Sequence, residues 1–347
     1  MQEVKFVNYL EKIEKNIINI KVNTRMSSWS VTIPFNPRAT PRPNYRVGPR
    51  KKGKKEYGVI TYYDTWYFNY LAAIDTYLKK YNLKNQDFYK VVNAQYGVIA
   101  NIVFYIHPGN TITKISKIPC TNVPDIDNLL KAILDGIFTK EDRISDSRVV
   151  GVNALKLNEL ENPRTEITLS SLGDFDDTTM SPSETVIANV AERNKEQQLN
   201  WSVILPFSPK SAPRPSVNFS VSTDSKGKKV YKKHDYNDRS YTNYLLEINN
   251  YLKESNLYND KFYKIGRSKN GIMSTFHFYC AVPKNQKKIR NIMKKTTPDI
   301  DNLLKAAMDG IFNEVNIDDR RIVGVQALKF NVLENAHTEV NLSPLGT

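Results

Sequence analysis

A chain of 347 residues with 40% hydrophobic content is long enough for two cored domains and too apolar to be disordered. Its formal net charge of +14 points to a polyanionic partner, with a membrane surface as the alternative; no apolar run of spanning length and no signal peptide stand out, so a soluble protein is expected. Two cysteines (Cys120 and Cys280) and four histidines without H-x-x-x-H spacing argue against disulfides and zinc, and fit a reducing cytosol.

In chain order, Val4, Val7, Leu10, Ile13, Ile17 and Ile20 fall near helical period, predicting an N-terminal helix over 1–26 that docks on the first domain. Trp29 then opens WSVTIPFNPRATPRP, and Trp201 opens the matching WSVILPFSPKSAPRP. Alternating Val31/Ile33 and Val203/Leu205 predict a strand, broken by prolines into a loop that mounts Arg42 and Arg214. Basic tracts beside tyrosines come next in both halves. Lys51, Lys52, Lys54 and Lys55 lie in the first, and Lys228, Lys229 and Lys232 in the second. Such runs are either solvated hairpin tips or phosphate contacts, and their recurrence favours the second.

A helix is expected next, with Phe68, Leu71, Ile74 and Leu78 as core in one half and Tyr241, Leu245, Ile248 and Leu252 in the other. A strand ends at Pro108, and its counterpart ends at Pro283. The second half alone continues into a basic connector containing Lys287 and Lys288. Residues 298–312 (PDIDNLLKAAMDGIF) then repeat 124–138 (PDIDNLLKAILDGIF), with Leu130, Ile133, Leu134 and Ile137 as a buried helical stripe. A final pair of strands closes each half. The organisation is a helical extension over 1–26, a domain over 27–171, an acidic linker over 172–198 and a second domain over 199–347. Two long copies mean a duplicated domain rather than a solenoid.

Packing alone does not require the polar residues of the motif. Asp125 and Asp127, like Asp299 and Asp301, stand where the chain enters a helix; each aspartate is either an N-cap or a ligand. A third acid, Asp146 or Asp319, precedes the next strand. Each half thus offers three carboxylates, Asp125/Asp127/Asp146 and Asp299/Asp301/Asp319. Such a trio is repulsive unless a hard divalent cation, Mg²⁺ or Mn²⁺, is bound. Lys131 and Lys305 lie four residues past Asp127 and Asp301 and are expected to serve the same trios, with an i,i+4 ion pair to Asp135 or Asp309 as the alternative. Asp135 and Asp309 read as structural. The constellation suits metal-assisted phosphodiester hydrolysis and contains no serine–histidine pair or phosphate-cradling glycine loop.

The run P-D-x-D-N-L-x-K-x-x-x-D-G-I, followed by an aspartate before a V-V or I-V strand, resembles the RusA-type Holliday junction resolvases, as does the arginine-bearing proline loop. The resemblance covers both repeats. It implies an α+β fold with two copies of a small mixed-sheet domain, each with two main helices, paired as an intramolecular pseudo-dimer. It also implies Mg²⁺-dependent paired nicking of four-way DNA junctions by a cytoplasmic, bacterial or phage-encoded monomer without membrane contact. Asp125, Asp127, Asp146, Asp299, Asp301 and Asp319 take the catalytic and metal-binding positions, and Lys131 and Lys305 the catalytic lysine positions. Ser145 departs from the aspartate pair seen at Asp318-Asp319 and so weakens the expectation for the first trio. Two other readings stay open: a protein that binds branched DNA without cutting it, and a less selective flap or single-strand nuclease.

Overall fold

The computed structural model describes residues 27–49, 57–109, 111–139, 143–172, 199–213, 216–224, 229–236, 238–289 and 291–345. The helix expected over 1–26 and the acidic segment from 173 to 198 lie outside the described residues. The first half runs β1 (Ser28–Ile33), β2 (Asn44–Pro49), β3 (Tyr57–Tyr62), α1 (Thr65–Lys80), α2 (Gln86–Val92) and β4 (Val98–Ile106). It continues with α3 (Ile126–Ile137), a 3-10 turn (Asp146–Arg148), β5 (Val149–Asn158) and β6 (Arg164–Ser171). The second half repeats this order as β7 (Trp201–Leu205), β8 (Ser216–Thr223), β9 (Lys229–Tyr236), α4 (Arg239–Glu254), α5 (Asp260–Gly266) and β10 (Ile272–Ala281). Then come α6 (Ile300–Phe312), a 3-10 turn (Asp319–Arg321), β11 (Ile322–Val332) and β12 (His337–Pro344).

The fold is α+β, and its elements arise from local chemistry. Strand β1 alternates exposed and buried residues, with Val31 and Ile33 inward. The tryptophan that opens each repeat ties this edge down: the Trp29 indole donates to the Leu83 carbonyl at 2.7 Å and that of Trp201 to Leu257 at 2.8 Å. In α1 the buried stripe is Tyr67, Tyr70, Ile74 and Leu78. Phe68, expected in the core, is instead 53% exposed, because it sits one position off that stripe. The short helices α2 and α5 have too few residues for a periodic signal, but each begins at an asparagine, Asn85 or Asn259, that caps its first turn. Leu130, Ile133, Leu134 and Ile137 are all buried on α3. The glycine of the D-G pair has a packing reason. A Cβ on Gly136 would stand 2.8 Å from Ile74 Cδ1, and one on Gly310 would stand 2.7 Å from Ile248 Cδ1, so α3 and α6 rest directly against α1 and α4.

The two repeats share one eight-stranded sheet of order β1-β6-β4-β5-β11-β10-β12-β7. Within each half, β4–β5 and β10–β11 run parallel and the remaining pairs antiparallel, so each half-sheet is mixed. The halves meet where β5 and β11 pair antiparallel, with Asn153 opposite Gln326 at the centre and Ala154–Val325 and Val152–Ala327 on either side. That register is symmetric about Asn153/Gln326, as in an isologous dimer interface, so the chain is an intramolecular pseudo-dimer. The helices bury one face of the sheet in a core that extends through both repeats. A smaller cluster on Ile99, Val150, Met293, Leu328 and Phe330 packs separately from it. Among the described residues no helix is long and apolar enough to cross a membrane.

Candidate active site

Each D-x-D enters its helix behind a proline, Pro124 or Pro298, whose preceding peptide bond is cis. Asp125 and Asp299 occupy the N-cap positions of α3 and α6 in extended backbone, yet neither side chain makes a capping hydrogen bond. Capping, the cheap explanation for a helix-starting aspartate, therefore does not account for them. The caps Asn85, Asp238 and Asn259 make the bond that Asp125 and Asp299 omit; Asp64, which opens α1, omits it too but accepts from Asn44 Nδ2 at 2.8 Å instead. Asp127 and Asp301 come next in the first helical turn, each 3% exposed. One oxygen each of Asp125, Asp299 and Asp301 is buried without a hydrogen-bond partner. Buried, unpartnered carboxylate oxygens are unfavourable unless something cationic takes them up.

The third acids arrive from the opposite repeat. Asp146 joins Asp299 and Asp301, with one oxygen of each lying within 4.8 Å of the others. Asp319 faces Asp125 and Asp127, whose charges act directly on it. The lysines cross as well: Lys131 Nζ lies 3.3 Å from Asp301 and Lys305 Nζ lies 3.2 Å from Asp127. The trios expected within one repeat are thus corrected. One site holds Asp125 and Asp127 with Asp319 and Lys305; the other holds Asp299 and Asp301 with Asp146 and Lys131.

The sheet register is the reason. Near its C-terminal end β5 carries the strand-like lead-in to its own D-x-D, through a Cys120 N–H to Lys156 carbonyl bond of 3.1 Å. Because β11 runs antiparallel to β5, the turn that starts β11 is delivered to that same end. Ser145 consequently flanks the Asp299/Asp301 site, not the Asp125/Asp127 site.

A fourth carboxylate lines each site. Lys305 also approaches Asp309 at 3.8 Å, and the Tyr241 hydroxyl donates to Asp309 at 2.7 Å. Lys131 and Tyr67 hold Asp135 likewise, at 3.8 and 3.2 Å. The i,i+4 pair and the cross-repeat pair therefore coexist. Burial, reinforced by the neighbouring carboxylates, raises Asp319 to about 7 and Asp299 to about 6. Asp125 and Asp301 are also raised, chiefly by burial. Burial, the largest single influence, works to lower Lys131 and Lys305. The summed charges of Asp301, Asp135 and Asp146 on the first, and of Asp127, Asp309 and Asp319 on the second, together with their hydrogen bonds outweigh it, so both end above the ordinary lysine range and stay ammonium.

A model of the family described as endodeoxyribonuclease RusA matches the chain twice, over residues 34–170 and 206–343. The chain belongs to the RusA endodeoxyribonuclease family. No curated protein matches the chain. Membership of the RusA family makes it a nuclease of a group that acts on branched DNA with divalent metals, and its two matches are the two repeats. The residues present fit such a metal: the donors are all carboxylates, some with orphaned buried oxygens, and Asp146, Asp299 and Asp301 bring one oxygen each within 4.8 Å of the others.

Of the residues expected to contact DNA, Arg42 is exposed beside the Asp125/Asp127 site, where its guanidinium acts on Asp309 across the repeat boundary. The proline loop that carries it docks on α3 through a Thr40 N–H to Asn128 carbonyl bond of 3.0 Å. Lys287 and Lys288 are exposed on the connector after β10. Lys229 and Lys232 lie in β9, while Lys51, Lys52, Lys54, Lys55, Arg214 and Lys228 lie outside the described residues. Sequence reasoning missed Tyr67 and Tyr241, which hide among ordinary core aromatics. It also missed Arg148 and Arg321, which anchor the 3-10 turns: Arg148 Nε donates to the Val92 carbonyl at 2.5 Å and Arg321 Nε to Gly266 at 2.6 Å. The repetition of R-V-V-G-V as R-I-V-G-V was the available signal.

Proposed function

We propose that this protein is a Mg²⁺- or Mn²⁺-dependent, structure-selective endodeoxyribonuclease that makes paired nicks in four-way DNA junctions. The observation that carries this reading is the pair of acid–lysine sites related by the pseudo-twofold at Asn153/Gln326, each built from both repeats. A four-way junction presents two symmetry-related strands, and a rigid twofold presents two cutting centres to them.

Asp125, Asp127 and Asp319 would hold metal in one site, and Asp299, Asp301 and Asp146 in the other. The bound ion would supply Lewis acidity toward the phosphodiester and lower the pKa of an attacking water. The chain's own groups do the remaining work. Lys305 and Lys131 fix the orientation of the buried Asp127 and Asp301 carboxylates, and each side chain is partly exposed, so that its charge can act on a phosphate at the site. Tyr241 and Tyr67 hold Asp309 and Asp135 beside those lysines. Arg42 sits where the DNA backbone would pass. In this reading the chain acts as a monomer, since one polypeptide already holds both centres.

Incubation with labelled four-way, flap and linear duplex DNA, with and without Mg²⁺, tests the proposal. Paired symmetric nicks confined to the junction and abolished by EDTA are expected. Equal cutting of linear duplex, or no cutting of any substrate with metal present, would refute it.

A further inference from the structure

Outside the carboxylate sites, the most buried charged groups in the described structure are Lys156 and Lys329, both at 0% exposure. Both come from the first strand of the closing pair in their repeat, Lys156 on β5 and Lys329 on β11. Neither forms an ion pair among the described residues. Instead, each ammonium gives its three donors to three backbone carbonyls. Lys156 Nζ reaches Asn122 and Pro124 at 2.9 Å each and Arg320 at 2.7 Å. Lys329 Nζ reaches Thr296 at 3.2 Å, Pro298 at 2.9 Å and Ser147 at 2.8 Å.

The partners divide in a telling way. Two carbonyls belong to the lysine's own proline loop, immediately before the D-x-D. The third belongs to the 3-10 turn of the other repeat, beside the third acid. Lys156 therefore touches both backbone pieces that make the Asp125/Asp127/Asp319 site, and Lys329 touches both pieces that make the Asp299/Asp301/Asp146 site. Burying an ammonium without a carboxylate partner is expensive, and a methionine would fill such a space with less desolvation. The geometry gives the charge a purpose: it clamps two loops that no backbone ladder joins, beneath a cluster of carboxylates that repel one another.

We propose that Lys156 and Lys329 are positioning residues, each fastening the D-x-D loop of one repeat to the third-acid turn of the other and so setting one site and not its twin. This rests on the metal-nuclease reading above. Site geometry must hold to about half an ångström for a metal constellation to work, and loss of an outer-shell support typically lowers metal affinity or activity roughly 10- to 100-fold.

The test uses the full chain and has two readouts. The first is Mn²⁺ titration of the DNA-free protein, followed by electron paramagnetic resonance. The unaltered chain should bind at both sites, and Lys156→Met should weaken one by roughly 10- to 100-fold while the other keeps its affinity. The second is nicking of a four-way junction by half-disabled chains. Added to Asp299→Asn/Asp301→Asn, Lys156→Met should suppress the residual nicking. Added to Asp125→Asn/Asp127→Asn, it should leave the residual nicking unchanged, which also shows that the chain is folded. If Lys156→Met does not fold, Lys156→Gln, which keeps two N–H donors, replaces it with the same expectations. Two unweakened Mn²⁺ sites, or equal losses in both backgrounds, would overturn the clamp while leaving the nuclease reading intact. Failure of the unaltered chain to bind Mn²⁺ at all would instead remove the metal reading, and the clamp with it.

Discussion

The two composite sites are built from nearly the same residues and yet differ, and the difference comes from what the opposite repeat delivers. Around Asp299 and Asp301, the incoming turn is Ser145-Asp146, and three carboxylate oxygens gather within 4.8 Å. Around Asp125 and Asp127, the incoming turn is Asp318-Asp319; Asp318 is held by Arg320 but still adds its charge to Asp125. Lys131 is the less exposed lysine at 23%, against 39% for Lys305. The PDIDN motif is identical in both sites, so identity of a motif does not make two sites equal. The Asp299/Asp301 site draws three carboxylate oxygens together, while the Asp125/Asp127 site carries an additional acid at its rim.

The largest expected effect removes both sites. Asp127→Asn together with Asp301→Asn should reduce junction cutting by at least about 100-fold while junction binding persists or improves, because repulsion of phosphate falls. Gel-shift and cleavage assays on the same preparation check this; unchanged cleavage would break the assignment of these acids. A milder change separates the sites. Asp318→Ser gives the Asp125/Asp127 site the turn chemistry of its twin, and should bring the Mg²⁺ dependence of the two nicks closer together.

Much of this was legible in the sequence, because the repeated PDIDN run and the helical stripe behind it are local patterns. Val31/Ile33 and Leu130/Ile133/Leu134/Ile137 appear in the core as their periodicity required. The grouping of the acids was not legible. Asp146 is close in sequence to Asp127, and nothing local reveals that β5 and β11 pair antiparallel and exchange their leading turns. Lys156 and Lys329 were equally opaque: a lysine within A-L-K-L or A-L-K-F reads as an outward strand residue until the chain is folded around it. Phe68 failed for the opposite reason, an apolar residue one position off the stripe.

Acidity sharpens the comparison further. Asp319 and Asp299 are raised to about 7 and about 6, so the folded, metal-free protein keeps these protons to higher pH than the unfolded chain does. The stability this contributes is full below the ordinary carboxylate pKa of about 4 and is lost as pH rises through 6 and then 7. Metal-free protein should therefore melt several degrees lower at pH 8 than at pH 5, and Mg²⁺ should restore more at pH 8. Asp319→Asn should flatten the upper part of that slope and Asp299→Asn the lower part. A melting temperature that rises with pH without metal would contradict this. The smallest effect concerns Arg42: Arg42→Ala should lower the salt slope of junction binding by roughly 0.9 if its guanidinium neutralises one phosphate, and a slope left unchanged would exclude that contact.

The central claim is that each site is shared between repeats, and pairs of single substitutions on one chain test it most directly. Asp125→Asn with Asp319→Asn places both losses in one site and should leave the other able to nick, so a supercoiled plasmid extruding a cruciform is converted to nicked circles. Asp125→Asn with Asp146→Asn places one loss in each site and should abolish nicking altogether. The reverse pattern, nicked circles from the second pair and none from the first, would mean that each repeat keeps its own trio and would contradict the account.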